Sequence, residues 1–483
     1  MNSWADSLTP TRMQRVAVVA PRAALREALV RVADAGCVEL DATDDSGHGA
    51  PGPAARRLQE LGRGPTQPLL SAATPDLDAL TSTGRADLLA GEAQLETYRR
   101  AAVRHDTVAA LAGWCPTAEM PRLAARLADL GAAAVPLRAP RGLDPPTRLD
   151  DTGTVRRSLV PLVRTYGTVP YEDVDPTMPA GIAYVVMFGM MFGDAGHGIL
   201  LLFGALLLRS GRVRRLAPLR PLWPFLLAAG ATSTLAGIAY GEFFGPTGVL
   251  PVLWLAPLDQ PLRLLGAAIA VGAVLLALAY AAGIVNRWRE GGPGRALYAS
   301  SGIAGATVFL GLAVLAAGAA LHTTLVVACG SALVLTGLAL AGTGLFTASG
   351  GGPSGALQTG VQLFDVVIRI GSNTVSFARL AAFGLTHAAL GAIVWQGTTA
   401  LAGTGPPGIA AALLVFVVGN ALAFALEGLV AGVQALRLEF YELFSRVFDA
   451  EGRPFRPWHV PTETSSGRRT DATPTPHSTE VTT

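Results

Sequence analysis

The sequence predicts an α-helical polytopic membrane domain of about eight transmembrane helices, with an N-terminal cytoplasmic α/β domain. Three observations lead there. Hydrophobic residues fill 51% of the 483 positions and charged ones only 15%, and the mean hydropathy of +0.42 is too high for an ordinary soluble enzyme. The apolar character is uneven, because nearly all acidic residues and many arginines fall before residue 177 or in the final tail. From Pro179 onward, uncharged stretches of about 20 residues recur, the length a helix needs to cross the hydrocarbon core.

Three segments follow: residues 1–176 as an α/β domain of two small modules with a shortened helical connector, 177–445 as the membrane domain, and 446–483 as a polar, partly disordered tail. The opening Met1–Arg12 lacks the apolar run of a secretory signal, so this part is expected in the cytoplasm. Met13–Val19 alternates like a strand, Arg22–Ala35 carries Leu25, Leu29 and Val32 at helical spacing up to Gly36, and Cys37–Leu40 reads as a second strand. The pattern returns as strand Ala109–Trp114, helix Met120–Leu130 closed by Gly131, and strand Ala133–Leu137. Between them lie a Gly/Pro-rich stretch, Ser46–Gly52, and a helix over Asp87–His105.

Helices are expected at about 179–193, 196–209, 222–245, 264–285, 296–320, 323–346, 361–399 and 409–436. The first two are split because Gly189, Gly193, Gly196 and Gly198 surround Asp194 and His197, and because a hairpin there returns Arg209, Arg212, Arg214, Arg215 and Arg220 to the cytoplasm. One unbroken helix would put those arginines outside. Both termini are then cytoplasmic, in a multi-pass protein of the cell inner (plasma) membrane. Residues 461–483, made of Thr, Ser, Pro and charge, cannot build a core.

Composition also excludes chemistry. The formal charge is +2, from 37 basic and 35 acidic residues, and no lysine occurs, so neither a Schiff base nor a P-loop lysine is available. Cys37, Cys115 and Cys329 are widely spaced, and the sequence shows no clustered histidines, so no disulfide framework, metal site or cofactor is indicated. No dinucleotide fingerprint, Walker loop, HExxH or GxSxG occurs, and no basic patch calls for nucleic acid.

Ionisable residues inside the apolar part are therefore the candidates, since each is costly in a membrane. Arg379 lies within a long apolar helix and must be paired or hydrated; Ser372 and Thr386, seven positions to either side, share its face, with Ser376 nearby. His387 is about 12 Å further along the axis and turned about 80° aside, placed to line an aqueous entry. On the last helix Asn420, Glu427 and Gln434 recur every seven residues and Arg437 follows. Such a stripe faces protein or water, either as an ion path or as interhelical hydrogen bonding. Asp194 and His197 in the glycine break, and Glu242 in GEFFG, read equally as helix-end packing or ion access. Asp365 and Arg369 read as a boundary ion pair and His322 as structural.

Three blocks carry a resemblance: YGTVPYEDVDPT (166–177) running into MFGMMFGDAGHG (187–198), SNTVSFARLAAFGLTHAALG (372–391), and LEGLVAGVQALRLEFYELFSRVF (426–448) ending in GRPFRP (452–457). RMQRVAVVAPR and LAGWCPTAE add weaker matches. Together they resemble the membrane subunit a of V-type and A-type rotary ATPases (ATP synthases), called subunit I in bacteria. The resemblance implies a noncatalytic stator subunit forming proton half-channels against a rotating proteolipid c-type ring, with ATP chemistry on other subunits. Arg379 would face the ring, Glu427 and His387 would line the half-channels, and Arg437 would be a second arginine near the cytoplasmic side. It further implies peripheral stalk subunits as partners, the central stalk and nucleotide-hydrolysing head indirectly, and membrane lipid. Family members usually carry longer coiled-coil arms. The alternative is a stand-alone secondary ion or solute transporter, which would show an inverted repeat and paired broken helices; no convincing repeat is present.

Overall fold

The computed structural model describes residues 9–41, 51–62, 67–140, 142–149, 153–448 and 451–463; most of the 46–52 stretch and the tail from 464 lie outside them. Two compact units emerge, Thr11–Arg148 with Arg453–Thr483, and Leu149–Gly452 with Met1–Pro10. They divide near residues 149 and 452 rather than at 176 and 446. Residues 154–166 form a helix that packs among the apolar helices, with Leu159 against Gly181, and the polar segment from 453 folds into the α/β unit.

The α/β unit runs β1 (Met13–Pro21), α1 (Leu25–Ala35), β2 (Glu39–Leu40), α2 (Pro53–Glu60), α3 (Leu77–Ser82), α4 (Ala86–Ala101), β3 (Val103–His105), β4 (Val108–Pro116), α5 (Met120–Leu127) and β5 (Ala133–Pro136). The two expected modules share one antiparallel sheet of order β2-β4-β1-β5, with β3 added on β4. Each strand of one module thus pairs with the other, a split βαβ arrangement. Alternation on β1 buries Val16, Val18 and Ala20, and Leu25, Leu29, Val32, Leu123 and Leu127 of α1 and α5 complete that core. Trp458 and Val460 enter the same core. Their amides donate to the carbonyls of Val38 (2.9 Å) and Ala33 (3.2 Å), and Trp458 Nε1 donates to Gln94 (3.0 Å).

The second unit continues with α6 (Thr154–Tyr166), α7 (Thr177–Met191), α8 (Ala195–Ser210), α9 (Trp223–Tyr240), α10 (Pro261–Tyr298), α11 (Ile303–Ala320), α12 (Thr324–Ala348), α13 (Gly352–Ser376), α14 (Ala378–Ala402), α15 (Pro406–Leu438), a π-helical turn at Glu439–Phe444, and α16 (Ser445–Val447). Among the described residues, six segments are long and apolar enough to cross a membrane, and α7 and α8 are shorter apolar helices. These correspond to the spans expected from the sequence, with one change of shape. The single helix expected over 361–399 is two helices, because the chain turns at Phe377, whose fully buried ring fills the space left by Gly272 of α10.

The glycine break between α7 and α8 forms as expected, with Asp194 as the N-cap of α8. Helices α8 and α9 then approach closely: a Cβ on Gly237 would lie 2.0 Å from the Ala195 nitrogen, and one on Gly198 2.5 Å from that of Thr234. Arg287, just past the helix expected over 264–285, is fully buried within α10, which breaks only at Gly291 and Gly292. There Arg287 and Asn286 both donate to the Val447 carbonyl (3.2 and 3.0 Å), and Asn286 accepts from the Val174 amide (2.9 Å). This clasp ties α10 to both ends of the helix set.

Candidate functional site

The turn at Phe377 places Arg379 in the first turn of α14. The interruption frees the Ser376 carbonyl, which accepts from Arg379 Nε at 3.1 Å, while Nη2 donates to Glu442 Oε1 at 3.3 Å. The side chain stays 25% exposed while Glu442 is nearly buried, so the cation sits at a surface with its anion behind it. Ser372 and Thr386 are exposed and Ser376 half-buried, and apolar Val361, Phe364, Ile368 and Val375 of α13 and Leu422, Leu426 and Leu429 of α15 are exposed as well. Arg437 is also exposed.

Deeper in the unit a second cluster forms. His387 of α14 and Glu427 of α15 are in direct contact through Nδ1 and Oε2, and Glu427 Oε1 is buried without a hydrogen-bond partner. The His387 ring lies 4.9 Å from Phe192 and 5.5 Å from His197. Asp194 is buried and accepts from three backbone amides, His197 (2.9 Å), Phe244 (3.0 Å) and Gly245 (2.7 Å), tying the break before α8 to the loop after α9. Glu242 is buried in that loop, within electrostatic reach of His387, Asp194 and Glu427. Asp194, His197 and His387 each offer one ligand atom, and these lie within 4.8 Å of one another.

The stripe expected on the last helix divides in three. Asn420 is buried and donates to the Phe416 carbonyl one turn back (2.9 Å), Glu427 joins His387, and Gln434 is half-buried with Oε1 unpartnered. Asp365 and Arg369 pair on the exposed face of α13. Two residues were not singled out from the sequence. Glu442 is the partner of Arg379, and Glu439 is fully buried with both carboxylate oxygens unpartnered. Both sit on the π-helical turn, a feature that often marks functional sites and that the sequence pattern does not announce.

Residues 97–218 and 361–460 match the V-type ATPase 116kDa subunit family. The matched blocks include the glycine break with Asp194 and His197, and Arg379, His387, Glu427 and Arg437. Subunits I of A-type ATP synthases are similar over much of the chain. The one from Thermococcus kodakarensis is 26% identical over 403 residues, covering 78% of this chain and 58% of the relative. That from Halobacterium salinarum is 30% identical over 386 residues (65% and 51%), and that from Aeropyrum pernix 29% identical over 347 residues (62% and 49%). The chain spans about half the length of the curated relatives it matches. With the polytopic helices, the capped break at Asp194 and the matches on both sides of the apolar region, the chain belongs to the V-type ATPase 116kDa subunit family.

Proposed function

We propose that this chain is the stator subunit of a V/A-type rotary ATPase in the plasma membrane, forming ion half-channels, for protons, against a rotating proteolipid ring. The observation that carries the reading is the placement of Arg379: a partly exposed cation among exposed apolar side chains of α13 and α15, backed by Glu442 and separated along α14 from the buried His387–Glu427 pair. A rotor carboxylate turned toward lipid is kept neutral by desolvation, and the same carboxylate beside a fixed guanidinium is held ionised. Passage of Arg379 therefore drives the proton off. Glu427, His387, Asp194, His197 and Glu242 supply a polar route on one side of that barrier, and Arg437 and Glu442 supply charge on the other. The fixed cation between them blocks a direct leak.

Each charge crossing the potential carries about 2.3 kcal/mol per 100 mV, so several ions per turn couple to ATP synthesis or hydrolysis on other subunits. The partners in this reading are the proteolipid ring, peripheral stalk subunits and, indirectly, the central stalk and catalytic head, with both termini in the cytoplasm. The test is Arg379→Ala in the assembled complex. Ion-coupled ATP turnover is expected to vanish while the complex still purifies with its ring; retained pumping overturns the reading. Recovery of the wild-type chain alone, stable and without a proteolipid, favours a stand-alone transporter.

A further inference from the structure

We propose that Asp194, His197 and His387 form a binding site for a divalent transition-metal ion of the zinc class. The three residues come from the capped break before α8 and from the middle of α14, and their ligand atoms lie within 4.8 Å of one another. All three are more than nine-tenths buried, with exposures of 0, 2 and 4%.

His197 is the observation that points to a ligand. Both its ring nitrogens are buried without a hydrogen-bond partner. The ring is walled by Phe192, Phe244 and Phe424, with centroids at 5.6, 5.2 and 5.7 Å. Buried polar groups are nearly always satisfied, so an imidazole left bare on both sides needs an explanation. The polar atoms within its reach belong to Asp194, whose Oδ1 is 3.8 Å from Nδ1, to His387 and to the Asn420 backbone.

The surroundings of the other two residues fit the same occupant. Contact of His387 Nδ1 with Glu427 fixes the ring and leaves Nε2 with a free lone pair, the carboxylate–histidine–metal arrangement common in zinc proteins. Three backbone amides hold the Asp194 carboxylate in place and occupy only part of its acceptor capacity. Two imidazoles and one carboxylate select zinc, cobalt, nickel or copper over magnesium and calcium, which prefer all-oxygen shells. The carboxylates of Asp194 and Glu427 balance a dication in an apolar shell. Three protein ligands leave one coordination position for water. The three ligands are also residues of the polar route proposed above, so a bound ion and a proton path are alternative occupants of one cluster, and the test below reads the ion alone.

The test uses the full-length chain carrying a histidine-free tag. Titration with Co2+ is expected to give the visible absorption of a tetrahedral or five-coordinate centre, saturating near one ion per chain and displaced by Zn2+. His197→Ala is expected to abolish the band, and Glu427→Gln, which loosens the support of His387, to weaken binding by about 10- to 100-fold. Absence of the band, or a band unchanged in His197→Ala, overturns the proposal. Because these variants can disturb folding, zinc K-edge X-ray absorption of the zinc-loaded wild type provides a second reading. Two imidazoles and oxygen at about 2.0–2.2 Å support the site. A six-oxygen shell, or sulfur from Cys329, overturns it.

Discussion

The guanidinium of Arg379 reaches the carboxylate of Glu442, 63 positions later and 3.3 Å away, while Glu427 on the preceding α15 turns to His387. The two acidic groups thus serve different partners. One holds a surface arginine in place, and the other belongs to a buried cluster.

Removing the anion behind Arg379 tests the first of these assignments. Glu442→Ala leaves a partly desolvated guanidinium with only the Ser376 carbonyl, and is expected to cost about 1–3 kcal/mol. Glu442→Gln keeps an acceptor and is expected to cost less than half as much. Thermal unfolding of the two purified variants reads the difference, and equal losses would mean that the negative charge of Glu442, rather than an acceptor at that position, is what holds Arg379.

The second prediction concerns close approach of helices. Gly237→Ala would set a methyl 2.0 Å from the Ala195 nitrogen, so α8 and α9 must part. An overpacking cost of about 1–3 kcal/mol or more is expected, seen as a lower melting temperature and poorer recovery from the membrane. Gly266→Ala on α10, where nothing lies within 4 Å, is the control. There the added methyl is expected to be neutral or to stabilise by up to about 1 kcal/mol through helix propensity. Similar behaviour of the two variants would contradict the packing.

The third prediction uses pH in the α/β unit. Arg85 donates Nε and Nη2 to Asp87 at 3.0 and 2.9 Å, and these hydrogen bonds hold the carboxyl below its ordinary 3.8. A depressed folded value means that the stabilisation is present above 3.8 and is lost as pH falls through the folded value. Amide exchange along α4, corrected for its intrinsic pH dependence, is expected to quicken over that window. Asp87→Asn should remove this part of the response; an unchanged profile would assign it to other carboxylates.

Much of this was legible in the sequence because membrane spans are set by length and apolarity, which need no tertiary information. The break at Asp194 was legible too, since glycines and the arginines at 209–220 constrain topology independently of packing. Arg379 stood out as a charge in an apolar run. Its partner did not, because pairing with Glu442 depends on the turn at Phe377 and on the π-helical turn, both products of side-chain packing. The meeting of His197 with His387 was equally hidden. Periodicity reports which residues share a face of one helix, and says nothing of two helices 190 positions apart.

The α/β unit takes its last pieces, Trp458 and Val460, from beyond the entire helical unit, and Leu70 exchanges backbone hydrogen bonds with Pro461 and Glu463 at 3.0 Å. During synthesis this unit is therefore begun first and finished last. At about 5–20 residues per second the ribosome needs tens of seconds to add residues 149–452. Through that interval the carbonyls of Ala33 and Val38 and the apolar floor beneath Trp458 wait uncovered. The closing segment arrives only after the last apolar helix has left the exit tunnel. Completion of this fold is thus timed by translation, and a nascent chain cut before residue 453 carries an α/β unit without its closing segment.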